Sequence, residues 1–180
     1  MVADATPRLL TRAEYDRMAE LGFFANERVE LIHGTVVRMA PIGTGHCDVV
    51  DVCNELLVLR LAGRATVRIQ APFLAHDDSE PEPDVVVAPR RRYSDRHPDQ
   101  AFLVIEVAES SLAYDRHTKA RLYAASGVRE YWIIDVLGRA VEVHRQPGSD
   151  RYAVHHRVTA GAVHPEAFPD VELSLAELFP

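Results

Sequence analysis

Residues 83–119 read PDVVVAPRRRYSDRHPDQAFLVIEVAESSLAYDRHTK. Two short runs of β-branched and apolar residues, Asp84–Ala88 and Ala101–Ala108, are continuous rather than alternating, as expected of strands buried on both faces. An arginine-rich loop separates them, and a segment with helical spacing follows. Asp84 opens the first run and Glu106 lies near the end of the second. A carboxylate after Phe102-Leu103-Val104-Ile105 is costly to bury unless it is paired or bound to a metal. Asp84 alone also reads as a turn residue after Pro83.

The flanking sequence extends this into a mixed α/β chain. Thr11-Arg12-Ala13-Glu14 has the form of a capping box and predicts a helix over residues 12–21. Val29–Ile32 and Thr35–Met39 read as strands joined at His33-Gly34. His46–Leu61 is too densely apolar for alternation and too long for one strand, which predicts a long buried helix. Ala65–Phe73 alternates like a half-buried strand with Gln70 on its polar face. Ser110 or Ser111 caps a third helix that ends at Gly127. Glu130–Val136, Ala140–His144 and Arg151–Val158 complete the sheet, the last on its edge, and a short helix over residues 174–179 closes the chain. Tyr131 and Trp132 read as core.

With 180 residues and no repeat, low-complexity tract or linker, one domain over residues 1–180 is expected. Hydrophobic residues at 47% and charged residues at 26% suit a globular protein. No apolar run is long enough to span a membrane. Residues 1–8 lack the pattern of a secretion signal, so a cytoplasmic location is expected. Cys47 and Cys53 share one predicted helix, a poor geometry for a disulfide, and read as buried small hydrophobes. The net charge of -7 argues against non-specific coating of DNA. A local basic rim remains compatible with it, and Arg90-Arg91-Arg92 with Arg96 offers one, or else simply a solvated loop.

The chemistry suggested by residues 83–119 is metal-dependent hydrolysis of a phosphodiester. Mg2+ or Mn2+ prefers oxygen ligands, usually one or two carboxylates plus water. Asp84 and Glu106 supply such oxygens if their strands are neighbours, and the Val107 carbonyl offers a third. Lys119 is the sole lysine among 20 Lys+Arg. It can orient a water or steady charge on phosphate, a role in which a planar guanidinium substitutes poorly. The alternative is a helical ion pair with Asp115, four residues earlier. Glu30 can complete a cation site or face solvent on an alternating strand. Gln70 can position a water or a phosphate, or be an exposed strand residue. His46 can cap its helix or line a pocket.

These elements resemble the bacterial putative restriction endonuclease family of the PD-(D/E)XK nuclease superfamily. The likeness runs through Glu30-Leu31-Ile32-His33-Gly34, Gly45-His46, Gln70, Glu82 to Val87, Val104-Ile105-Glu106-Val107, Asp115 with Lys119 and Tyr123, and Gly127 to Asp135. It implies a restriction-endonuclease-like sheet flanked by helices, Asp84 and Glu106 as metal ligands, and DNA as substrate. It also implies that the lysine, absent at Ala108, comes instead from the next helix as Lys119, and that Glu30 is an additional acidic site residue. One departure is Ala108-Glu109-Ser110-Ser111, where the family usually has a Ser-Pro pair. A homodimer would suit cleavage of two strands. The competing readings are a non-catalytic nuclease-like module that binds nucleic acid or a protein partner, and a hydrolase of another phosphoester.

Overall fold

The computed structural model describes residues 6–179, so Met1–Ala5, most of the segment read for a leader, lies outside it. Its centre is a six-stranded mixed sheet in the order β3-β4-β5-β6-β7-β8. The strands are β3 (Ala65–Ile69), β4 (Val85–Pro89), β5 (Leu103–Ala108), β6 (Glu130–Asp135), β7 (Ala140–Pro147) and β8 (Tyr152–Val158). All neighbours are antiparallel except β5 and β6. That parallel pair needs a crossover, supplied by helices α3 (Leu112–Tyr114) and α4 (Ala120–Ala125) and the turn between them.

Because side chains alternate across the sheet, each central strand feeds two cores. Val85, Val87, Ile105, Trp132 and Val143 pack with α2 (Thr44–Leu61) and α5 (Leu175–Leu178). Val86, Val104, Tyr131 and Ile133 pack with α4 on the other face. The strands β4, β5 and β6 are buried almost throughout, as their continuous apolar runs require. The expected fold class, a mixed sheet flanked by helices, is the one observed.

The N-terminal helix α1 (Arg12–Glu20) carries the expected Thr11/Glu14 capping box, and Ser174 with Glu177 repeats the device on α5. The hairpin of β1 (Val29–Ile32) and β2 (Thr35–Arg38) turns at His33 and Gly34, whose φ angles are 48° and 71°. It stands apart from the main sheet, and the Leu31–Glu80 bridge ties it to the segment between β3 and β4. A further ladder of β9 (Ala162–Val163) and β10 (Leu173–Ser174), too short to show a period, was not expected from the sequence.

Several local expectations are corrected. The strand expected over 65–73 ends at Ile69, because Gln70 adopts a left-handed conformation with φ 44°. The third helix is interrupted by a π-turn over Asp115–Lys119, in which the Ala120 N–H donates to the Asp115 carbonyl. Ser111 precedes α3 but does not cap it; its hydroxyl donates to the Asp115 carboxylate at 2.5 Å. Cys53 is buried as expected, whereas Cys47 is only half-buried. Among the described residues no helix is long and apolar enough to cross a membrane.

Candidate active site

Strand register alone assembles the first half of the site. Ile69 pairs with Val85 and Val85 with Ile105. One residue further along, Gln70 just past the end of β3, Asp84 just before β4 and Glu106 in β5 therefore lie side by side, the two carboxylates on the face shared with Val86 and Val104. The Asp84 N–H reaches Glu106 Oε2 at 3.4 Å, and Asp84 Oδ2 accepts the Val107 N–H at 2.8 Å. Gln70 closes the row from the other side. Its N–H donates to the Asp84 carbonyl at 3.1 Å and its Nε2 to Asp84 Oδ1 at 3.2 Å. A non-glycine residue with positive φ costs about 1–3 kcal/mol and tends to persist where a site over-determines it. Here the paired bonds to Asp84 hold it.

The second half comes from the elements packed over that face. Lys119 is 4% exposed, and its Nζ donates to Glu30 Oε2 at 2.6 Å and to Glu106 Oε1 at 3.2 Å. The same Glu106 oxygen accepts the Tyr123 hydroxyl at 2.6 Å. The expected solvent-facing alternative for Glu30 is thus corrected: its strand is buried along its whole length, and the carboxylate lies under the lysine. The Asp115–Lys119 ion pair is not the arrangement either. In the π-turn these two side chains are both buried but take different partners. Removing Lys119 would leave the buried Glu30 and Glu106 carboxylates without their cation, so these three groups are interdependent.

Electrostatics follow from that burial. Desolvation raises the Glu106 carboxyl, with Lys119 opposing and Asp84 adding to the rise. Burial pulls Lys119 down, but Glu106 and Glu30 outweigh it and hold the ammonium charged. Asp115 is also raised, chiefly by burial. The cluster therefore carries an excess of buried carboxylate that one lysine only partly offsets.

His46 approaches from the first turn of α2, with Nε2 3.0 Å from Asp84 Oδ1. That hydrogen bond raises its pKa against the opposing effect of burial. The start of that helix lies against the Glu109 side chain, whose carboxylate would have to shift to admit a Cβ at Gly43 or Gly45. Sequence reasoning left the role of His46 open and did not place Tyr123 in the site. The signal for Tyr123 was its spacing, four residues after Lys119, which puts both over Glu106.

Glu30, His46, Gln70, Asp84, Glu106, Val107 and Lys119 all line one cavity of about 350 Å³. Exposed Arg28 and Arg38 line it as well. The expected basic rim from Arg90 to Arg92 and Arg96 is corrected, because it follows the far end of β4, a strand's length from Asp84. Arg91 there stacks on Tyr93 and pairs with Asp95, and Arg96 pairs with Asp99. The carboxylates of Glu30, Asp84 and Glu106 line the cavity and offer it oxygen donors. That chemistry fits a hard divalent cation.

Comparison with known proteins bears on the same elements. A search of the curated proteins gave no match. Among solved structures, a protein from Anabaena variabilis described as "a putative nuclease belonging to DUF820" superposes with a TM-score of 0.75. The match covers 96% of this chain and 98% of that one at 18% identity, a likeness of fold. The family model described as "Uma2: Putative restriction endonuclease" matches residues 12–176, a span that holds α1, the β1–β2 hairpin and every residue of the cavity described above. By that match the chain is a member of the Uma2 family.

Proposed function

We propose that this protein is a divalent-cation-dependent nuclease that hydrolyses phosphodiester bonds in DNA, in the manner of a restriction-type endonuclease. The observation that carries the reading is the convergence of Asp84, Glu106 and the sole lysine, Lys119, on one cavity, with all three buried. Family membership supports it.

In this reading Asp84, Glu106 and the Val107 carbonyl would hold Mg2+ or Mn2+, with Glu30 as an additional acidic group. The bound cation would polarise the phosphoryl group and supply an activated water. Gln70 fixes the Asp84 carboxylate through its two hydrogen bonds. Tyr123 fixes Glu106 and leaves its other oxygen, Oε2, turned toward Asp84. Lys119 is the ammonium beside the reacting phosphate, and it steadies negative charge in a site with little water to screen it. Glu30 anchors Lys119 at 2.6 Å. Arg28 gives the cavity a positive side chain for a phosphate backbone, and Arg38 beside it is paired with Glu27.

We place the whole activity in a single domain spanning residues 1–180. A homodimer suits cleavage of both strands of a duplex by one site each. The test is calorimetry with Mg2+ and Mn2+ on the wild type and Asp84→Ala, paired with cleavage assays on single- and double-stranded DNA. Cation binding and cleavage, both lost in Asp84→Ala, are expected. A wild type that binds nucleic acid but neither binds cation nor cuts would establish the non-catalytic module instead.

A further inference from the structure

A second constellation lies on the same sheet face at its outer edge. His144 on β7 stands directly opposite His155 on β8, and Glu142 is two residues from His144. All three side chains therefore rise from one face. Each offers one ligand atom, and these atoms lie within 4.8 Å of one another. The imidazoles stack with centroids 4.5 Å apart, and His155 Nε2 is 3.6 Å from Glu142 Oε2. The Nε2 of His144 is shut from solvent and, among the described residues, has no hydrogen-bond partner. A buried nitrogen without a partner is uncommon and points to a water or an ion.

We infer that Glu142, His144 and His155 form a transition-metal site, separate from the acidic cavity, that takes Zn2+ or a similar ion. Two imidazoles and a carboxylate are a zinc donor set, and the hard-oxygen cavity around Asp84 is not. Zinc bonds of 2.0–2.2 Å put donor atoms about 3.3 Å apart, so the cage must tighten from its present spread. His155, the exposed member, is free to turn inward.

The buried Glu142 is already oriented for the task. Its Oε1 accepts Arg157 Nη1 at 2.8 Å and its Oε2 accepts Arg116 Nε at 3.0 Å; a second Arg116 nitrogen bonds Oε1. Ligating carboxylates are commonly held by such outer hydrogen bonds. Arg116 belongs to the π-turn that carries Lys119, so an ion here would sit at the other end of a short chain from the cavity.

Co2+, with Zn2+ as competitor, is the probe. Visible d–d absorption of the full chain is followed for the wild type, His155→Ala and His156→Ala. His156 is the neighbouring exposed histidine on the opposite face, paired with Val143, and serves as the matched control. The wild type and His156→Ala should show intense tetrahedral bands that saturate at one equivalent and are displaced by Zn2+. His155→Ala should weaken binding by at least about tenfold. Absence of the bands in the wild type, equal bands in His155→Ala, or an equal loss in His156→Ala would each overturn the inference. The readout does not involve cleavage, so it stands or falls independently of the nuclease assignment.

Discussion

Replacing Lys119 by methionine keeps the length of the side chain and removes its charge. Glu30 and Glu106, 4% and 6% exposed, would then face each other with no cation between them. Breaking a buried ion pair from one side costs about 3–5 kcal/mol. For a chain of this size that corresponds to a fall in Tm of roughly 10 °C at pH 8. The sign of the pH dependence is fixed by the same geometry. Burial holds the folded pKa of Glu106 above its ordinary value of 4.5 with Lys119 opposing the rise, so the stability this carboxyl contributes is present below that pH and lost as pH rises, more so once the lysine is gone. The deficit of the variant relative to the wild type should therefore shrink from pH 8 toward pH 5. Thermal unfolding followed by circular dichroism at both pH values is the assay. A variant that melts within about 2 °C of the wild type at pH 8, or a deficit that grows on acidification, would refute the picture of two carboxylates buried beneath one ammonium.

Other perturbations test the surrounding structure. Tyr123→Phe removes a 2.6 Å donor to Glu106 and should cost about 1.5–3 kcal/mol by urea denaturation; an unchanged midpoint would show that the hydroxyl does not serve the carboxylate. Glu80 Oε2 has no hydrogen-bond partner among the described residues, only the Arg12 guanidinium at 3.9 Å, and the carboxyl is pushed up to about 7, mainly by burial and then by Asp16, with Arg12 opposing. Its stability contribution is present below pH 4.5 and lost as pH rises through 7. Glu80→Gln should thus gain about 1–2 kcal/mol on the wild type at pH 8 after allowance for screening, and little at pH 4.5, in paired melts; a gain confined to acid would contradict the sign. Gly34→Ala puts a Cβ 2.5 Å from Leu9 Cβ at a φ of 71°, and should destabilise by more than about 1 kcal/mol in the same denaturation assay.

Much of the architecture was legible because local chemistry and tertiary structure agree. Thr11 with Glu14 reads as a capping box and is one, whereas the second box, Ser174 with Glu177, emerges only in the structure. The β-branched runs around Val86 and Val104 read as doubly buried strands because nothing but packing satisfies them. Glu106 stood out by the cost of its surroundings. What was hidden depends on partners remote in sequence. Val29-Glu30-Leu31-Ile32 alternates as an exposed strand would, yet Glu30 is buried because Lys119, 89 residues away, reaches it. Nothing in Asp-Arg-His-Thr-Lys announces a π-turn, whose extra residue changes which side chains meet. Gln70 continues a strand pattern, and only its two bonds to Asp84 explain why the strand stops before it. The arginines at 90–92 gave a charge without a location, and β4 carries them away from the cavity.

The most direct measurement of the central claim is conversion of supercoiled plasmid to nicked or linear DNA by the wild type and Asp84→Ala, purified identically. Each is assayed with chelator, with Mg2+ and with Mn2+. The account predicts cleavage by the wild type only when a divalent cation is present, and background cleavage by Asp84→Ala under every condition. Equal cutting by Asp84→Ala, or cutting by the wild type that persists in chelator, would contradict it.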